Sequence, residues 1–291
     1  MTAYSFVTLD VFTDQRFGGN PLAVFPDAAG MDAGTMQALA REFNLSETAF
    51  VLPPDAPSNT ARVRIFTPQA EVPFAGHPNV GTAWVLAGLG RDRNRVLRFE
   101  EAAGLVEVSV ERRDGQLAGC RVAAPQPLSL ADAPALDDLA ACAGLAAGDI
   151  SAATAASVGT AAVFAAVPPE ALERAAPDAA AFRAAAARWP GYAGHFLLYL
   201  YARDGGAVRA RSFAPLYGIN EDPATGSAGA ALAALLLHGD GGDTLALDIR
   251  QGVEMGRPSR MQAGADRDAD GGIRAWVGGR CVPVLRGEAQ A

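Results

Sequence analysis

The sequence predicts a chain of mixed strands and helices arranged as two similar halves. Three observations predict it. The length of 291 residues suits two domains, each large enough to bury a core. Short β-branched and aromatic runs alternate with helical patterns along the chain. A two-block motif also recurs. Arg64-Ile65-Phe66-Thr67-Pro68 matches Arg211-Ser212-Phe213-Ala214-Pro215, and Glu71-x-Pro73-x-x-Gly76-His77 matches Glu221-x-Pro223-x-x-Gly226-Ser227. Each copy then enters a helix of small residues, so each half reads as strand, proline loop, glycine, helix N-terminus.

The elements follow in order. Tyr4 to Phe12 and Pro21 to Phe25 read as strands joined by the turn Gly18-Gly19-Asn20. A helix runs from about Asp32 to Phe43, because Met36, Leu39, Ala40 and Phe43 fall on one face, and Asn44 ends it. Thr48 to Leu52 is the next strand, with Glu47 at the corner before it. Arg62 to Phe66 is a strand that leads through Pro68 to Pro73-Phe74-Ala75-Gly76-His77-Pro78. Pro78 suits the first position of a helix whose face is Val80, Ala83, Trp84 and Ala87, closed by Gly88. Arg95 to Arg112 reads as two strands. Ala123 to Pro134, rich in Ala, Pro and Ser, is the candidate linker. The Ala-rich stretch from about Asp132 to Arg188 is poorly patterned. His195 to Ala202 and Ala207 to Phe213 are strands, a helix runs to about His238 with Gly239 beyond, and the remainder alternates short strands and turns.

Composition excludes several chemistries. The chain has 24 basic and 32 acidic residues, a formal net charge of −8, and no lysine at all. An acidic chain without an arginine stripe is a poor nucleic-acid partner. Lacking lysine, it has no Schiff-base or pyridoxal phosphate anchor and no P-loop lysine. The glycines show no GxGxxG fingerprint, so a Rossmann cofactor is not expected. Cys120, Cys142 and Cys281 lie far apart, as do His77, His195 and His238. Neither set has metal-ligand spacing, so no metal is expected, and an odd number of dispersed cysteines fits a reducing cytoplasm. The start MTAYSFVTLD reads as lacking a secretory signal, and the uncharged stretch Ile150 to Pro169 is too broken by Ser, Thr, Gly and Pro for a membrane span. Alanine is roughly a fifth of the chain, which a GC-rich genome explains and which inflates the 50% hydrophobic content.

The chemistry is sought where the two copies meet a helix N-terminus. A glycine there lets a ligand approach the first free N–H groups, which with the helix dipole favour an anion. Two such ends facing each other across an interdomain cleft would seat a small carboxylate. The copies differ where Val72 is replaced by Asp222, and His77 by Ser227. Glu47, flanked by Leu45 and Phe50, is a carboxylate near apolar surface, a setting that raises its pKa and suits a proton shuttle. By position alone these residues also have plain readings. Glu47 is then a surface or capping glutamate, His77 a histidine near a helix cap, Asp222 a turn residue before proline, and Ser227 a helix cap. Thr225-Gly226-Ser227-Ala228-Gly229 looks like a nucleophile elbow but lacks the first glycine and the straight strand approach, so serine hydrolysis is disfavoured.

These segments together resemble the PhzF-like family of phenazine-biosynthesis isomerases. The matching stretches are Gly19 to Phe25, Asn44 to Thr48, Phe66 to Pro68, Pro73 to Pro78 with Gly81-Thr82-Ala83, Glu221 to Ala228, and Gln251 to Ser259. They run in family order over nearly the whole chain, and the Ala-rich middle, about Asp132 to Arg188, shows no family motif. The resemblance implies the diaminopimelate-epimerase-like α+β fold, two pseudo-symmetric domains each wrapping a curved sheet or barrel around a central helix. The expected domains are 1–122 and 123–291, with a strand near 280–287 as a candidate to return to the first. Racemases of that fold place a cysteine at each helix entrance. Here those positions are His77 and Ser227, so a two-thiol mechanism is not supported. By resemblance, Glu47 is the general acid/base that moves a proton between ring carbons. His77 and Asp222 bond the substrate's hydroxyl and amino groups, Ser227 with the amides at Gly226 and Ser227 holds its carboxylate, and Gly76 is a further substrate-binding residue. The implied reaction isomerises trans-2,3-dihydro-3-hydroxyanthranilate without metal or organic cofactor, in a cytoplasmic homodimer. An epimerase or isomerase of another small acid, or a ligand-binding protein without turnover, are the alternatives.

Overall fold

The computed structural model describes residues 2–192 and 196–291. The chain divides into two compact units, one running to Pro125 and rejoined by Val277–Ala291, the other Gln126–Trp276.

The first unit opens with β1 (Ala3–Val11) and β2 (Asn20–Phe25), then α1 (Ala33–Phe43). Asp32 caps α1 by accepting the Thr35 N–H, and Asn44 ends it in the left-handed conformation, as its sequence suggested. Its Met36 and Ala40 pack with Phe25, Phe50 and Phe66. There follow β3 (Glu47–Leu52), β4 (Ala61–Phe66), the short β5 (Glu71–Val72), α2 (Gly76–Gly88), β6 (Val96–Glu101), β7 (Gly104–Arg113) and β8 (Gln116–Ala123). The helix starts at Gly76, two residues before the position expected from Pro78. Pro78 therefore sits in the first turn, where a missing N–H costs nothing. Nor is α2 one-sided. Every residue from Gly76 to Ala83 is buried, because the strands enclose it. Gly81 makes this fit possible, since a Cβ there would lie 2.5 Å from Leu22 Cδ2.

The second unit has β9 (Ser129–Ala131), α3 (Leu136–Ala143), β10 (Ala152–Ser157), β11 (Ala161–Ala166), α4 (Pro169–Arg174) and α5 (Ala179–Arg188). Next come β12 (Leu198–Asp204), β13 (Ala207–Ala214), β14 (Ile219–Asp222), α6 (Gly226–Asp240), β15 (Thr244–Gln251), β16 (Ser259–Arg267) and β17 (Ile273–Gly279). The expected linker contains a strand, β9, paired with β10. His195, read as a strand start, lies outside the described residues. The Ala-rich stretch is well structured. Its helices pack Leu139, Leu172 and Phe182 against Phe196, Leu198, Leu200 and Phe213. The last strand, Cys281–Gln290, pairs antiparallel with β1 in the first unit.

The repeat extends well beyond its motif. In the first unit β1–β2 is antiparallel, β2–β3 parallel, β3–β4 antiparallel, β4–β5 antiparallel, β4–β6 parallel and β6–β7 antiparallel. The second unit has the same senses in the same order: β10–β11, β11–β12, β12–β13, β13–β14, β13–β15 and β15–β16. The helix after each Pro-loop, α2 or α6, is the buried centre of its unit.

The ladders give residue equivalences. Arg64 matches Arg211, and both lie beside a glutamate. Arg64 forks Glu71 through Nε and Nη2 at 2.7 and 2.6 Å, and Arg211 forks Glu221 at 2.9 and 2.7 Å. Each guanidinium also lies over a phenylalanine, Phe66 at 5.1 Å and Phe213 at 5.0 Å. Thr48 pairs with Phe66 as Leu198 pairs with Phe213, so Glu47 has Leu197 as its counterpart. Arg62 pairs with Glu100 as Arg209 pairs with Arg250, so Glu101 has Gln251 as its counterpart.

Candidate active site

Glu47 opens β3. Its place is fixed by the parallel rung Leu22↔Glu47 and by the residue before it, since the Ser46 hydroxyl donates to Asn20 Oδ1 at 3.1 Å. Gly19 lets Asn20 reach that position. Its φ is +62°, and a Cβ would lie 2.3 Å from Val11 O. His77, in the first turn of α2, brings its Nε2 to 3.4 Å from Glu47 Oε2. The His77 side chain is 7% exposed and the Glu47 side chain 17%. Burial pushes the His77 pKa down to about 3, so the imidazole is neutral at physiological pH. Two of the three residues expected to carry the chemistry are thus adjacent.

The third, Asp222, ends β14 in the second unit. Gly226 and the half-buried Ser227 begin α6 four and five residues later. Neither α2 nor α6 has a side-chain cap, and neither has an acidic residue in its first turn. The first-turn amides at Gly76 and at Gly226 and Ser227 therefore keep the polarity that suits a carboxylate.

A family model described as phenazine biosynthesis-like protein matches residues 9–287. The chain belongs to this family. An uncharacterized isomerase from Mesorhizobium japonicum is 40% identical over 99% of both chains. The trans-2,3-dihydro-3-hydroxyanthranilate isomerase of Pseudomonas aeruginosa is 37% identical over 98% of this chain and 99% of its own. The crystal structure of a PhzF-family phenazine biosynthesis protein from Bacillus anthracis matches with a TM-score of 0.89 at 24% identity, covering 100% of both chains. The fold is that of the PhzF family, and this chain is an enzyme of the isomerase class. Among the described residues, no helix is long and apolar enough to cross a membrane, and no group of three or more His, Cys, Asp or Glu could hold a metal.

The sequence reading missed the residues that set Asp222. The Thr225 hydroxyl donates to Asp222 Oδ2 at 2.5 Å. Gln251, fully buried at the end of β15, donates from Nε2 to Asp222 O at 2.7 Å and to Thr225 Oγ1 at 3.1 Å. Its Oε1 accepts from the Tyr199 hydroxyl at 2.9 Å and from the Thr225 N–H at 3.3 Å. The available signal was Gln251-Gly252, the start of a motif shared with the family whose role had no assignment. The three cysteines are all buried and free, and burial raises the thiol pKa of each.

Proposed function

We propose that this protein is a cofactor-independent isomerase that moves a proton between two carbons of a small cyclic amino acid, trans-2,3-dihydro-3-hydroxyanthranilate or a close analogue. The observation that carries this reading is the Glu47 carboxyl 3.4 Å from a buried His77 imidazole that burial holds neutral. Near neutral pH such an imidazole bonds the substrate without changing charge, which leaves Glu47 as the proton carrier. The carboxylate takes a proton from one ring carbon, and the resulting carboxylic acid returns it to another. Protons balance over the cycle, and Glu47 ends as it began.

His77 and Asp222 hold the substrate's hydroxyl and amino groups. Ser227, with the amides at Gly226 and Ser227, holds its carboxylate, so the ring cannot rotate between removal and return. The counterpart of Glu47 being Leu197 favours this over a two-base epimerisation, which uses one proton carrier on each face of the substrate. The named activity of the Pseudomonas aeruginosa relative supports the same substrate class.

The test is incubation with trans-2,3-dihydro-3-hydroxyanthranilate in deuterated water. Isomerised product should carry deuterium at a ring carbon, and Glu47→Gln should abolish both isomerisation and exchange. A wild-type protein that does not isomerise this substrate, or a Gln variant that isomerises it at the wild-type rate, overturns the proposal.

A further inference from the structure

Asp222 is held by a chain of hydrogen bonds whose every direction is determined. Two of its members have no choice. The Thr225 N–H can only donate, and the Asp222 carbonyl can only accept. Gln251 touches both, at 3.3 and 2.7 Å, so its carboxamide has one satisfactory orientation, with Oε1 toward the N–H and Nε2 toward the carbonyl. That orientation presents the remaining Nε2 proton to Thr225 Oγ1 at 3.1 Å. The threonine hydroxyl then accepts from Gln251, and its single proton is left to point at Asp222 Oδ2, 2.5 Å away. On the far side the Tyr199 hydroxyl donates to Gln251 Oε1. Burial and the charge of Asp222 both raise the Tyr199 pKa, which keeps that donor protonated. Tyr199 and Gln251 are both fully buried, so water does not compete for these bonds.

We propose that Gln251, Thr225 and Tyr199 form a positioning relay that fixes the direction of the Asp222 carboxylate toward substrate. None of the three touches the reacting atoms; they act through Asp222. The inference rests on the reading of Asp222 as a substrate-holding residue. The first unit shows what the relay is for. Its corresponding residues are Ala75 for Thr225, Ala49 for Tyr199 and Val72 for Asp222, so there is neither a relay nor a carboxylate to aim.

The test uses four variants of the full chain, with trans-2,3-dihydro-3-hydroxyanthranilate as the probe. Thr225→Val keeps the shape of the side chain and removes the hydroxyl, and Thr225→Ser restores it. Gln251→Glu leaves a single O–H donor, since a buried carboxyl keeps its proton, where the Nε2 group donates twice. Tyr199→Phe removes only the outermost hydroxyl. The relay predicts that kcat falls about 10- to 100-fold in Thr225→Val, the range expected for losing a hydrogen bond to a charged group, with KM changed far less. Thr225→Ser should recover most of it, Gln251→Glu should fall at least as far as Thr225→Val, and Tyr199→Phe should lose less. A crystal structure of Thr225→Val should show the Asp222 carboxylate in a second orientation, a readout that needs no turnover and separates this inference from the substrate assignment. Asp222→Asn separates it further. If that variant is inactive while Thr225→Val, Gln251→Glu and Tyr199→Phe keep wild-type kcat and an unmoved carboxylate, the relay is wrong and the proposed function stands. If Asp222→Asn is fully active, the reading of Asp222 fails and the relay falls with it.

Discussion

Glu101 and Gln251 occupy the same place in the two units, each at the end of the strand that follows the central helix. One is a carboxamide with all its bonds made. The other is a carboxyl whose two oxygens are buried without a hydrogen-bond partner in the structure, near the Asn79 side chain. Burial pushes the Glu101 pKa from 4.5 up to about 8, with the Asn79 contact opposing only in part. At neutral pH Glu101 is therefore mostly a protonated acid, the closest carboxyl analogue of the glutamine in the other half.

The consequence is a dependence of stability on pH with a definite sign. Between 4.5 and about 8 the folded chain keeps a proton on Glu101 that the unfolded chain releases. Stability falls as pH rises through that window, by at most about 1.4 kcal/mol per pH unit from this one group. Glu101→Gln should therefore match the wild type near pH 5 and exceed it at pH 9. Urea denaturation at both values measures the difference, and equal midpoints at pH 9 would refute the protonated state.

His77 gives the opposite slope. Its imidazole is neutral when folded, with a pKa near 3, and takes up a proton on unfolding below 6.5. The stability present above pH 6.5 is lost as pH falls toward 3. His77→Asn, which cannot titrate, should flatten this acid limb while also lowering turnover. Denaturation curves at pH 7 and pH 4.5 for both proteins provide the check. An unchanged difference between the two pH values in the variant would show that His77 is not the group responsible.

The paired arginines predict unequal costs from equal substitutions. Arg64 and Glu71 are 25% and 37% exposed, while Arg211 and Glu221 are 7% and 12% exposed. Arg211 also donates from Nη1 to Leu172 O at 3.1 Å and to Ala175 O at 2.5 Å, so the end of α4 covers it. Replacing Arg64 by Met should cost about 1 kcal/mol or less, the range of exposed pairs. Replacing Arg211 by Met strands a buried carboxylate and two buried carbonyls, and should cost about 3–5 kcal/mol. Unfolding free energies for the two variants decide it, and similar values would mean that the burial of Arg211 carries no weight.

How much of this was readable in advance depended on the residue. The forks and the helix entrances were legible because Arg64 with Phe66, and Glu71 with Gly76, recur in order in the second half, with a short insertion between the two blocks. Glu47 and His77 were legible only as types, since their adjacency depends on β3 pairing with β2 and on the early start of α2. The Ala-rich middle was not legible at all. Its strands β10 and β11 read AATAAS and AAVFAA, and alanine is depleted in strands, so their structure comes from pairing with β9 and β12 and not from propensity. Helix α5 carries a single large apolar residue, Phe182, too few to show a period. The Asp222 relay escaped for a different reason. Gln251 stands 26 residues from Thr225 and 52 from Tyr199, and no local pattern reports a partner at that range.

The residue after Gln251 makes the last prediction. Gly252 has φ +73°, and a Cβ there would lie 2.5 Å from Arg257 O and 2.7 Å from Pro223 O. Both are backbone atoms, and Pro223 directly follows Asp222. The glycine thus does two things. It supplies a left-handed turn that other residues enter at a cost. It also lets the strand end come close enough for Gln251 to reach Asp222 O at 2.7 Å. Gly252→Ala must push one segment away from the other, so stability should drop by more than about 1 kcal/mol. Because the displaced atoms belong to the turn that carries Asp222, kcat should fall as well. Gly256→Ala is the control. It shares the positive φ, at +77°, but a Cβ there meets no atom within 4 Å. Strain alone should lower the stability of both variants, whereas loss of turnover should be confined to Gly252→Ala. Comparable kcat values for the two would mean that the close approach at Gly252 serves folding and not the placement of Asp222.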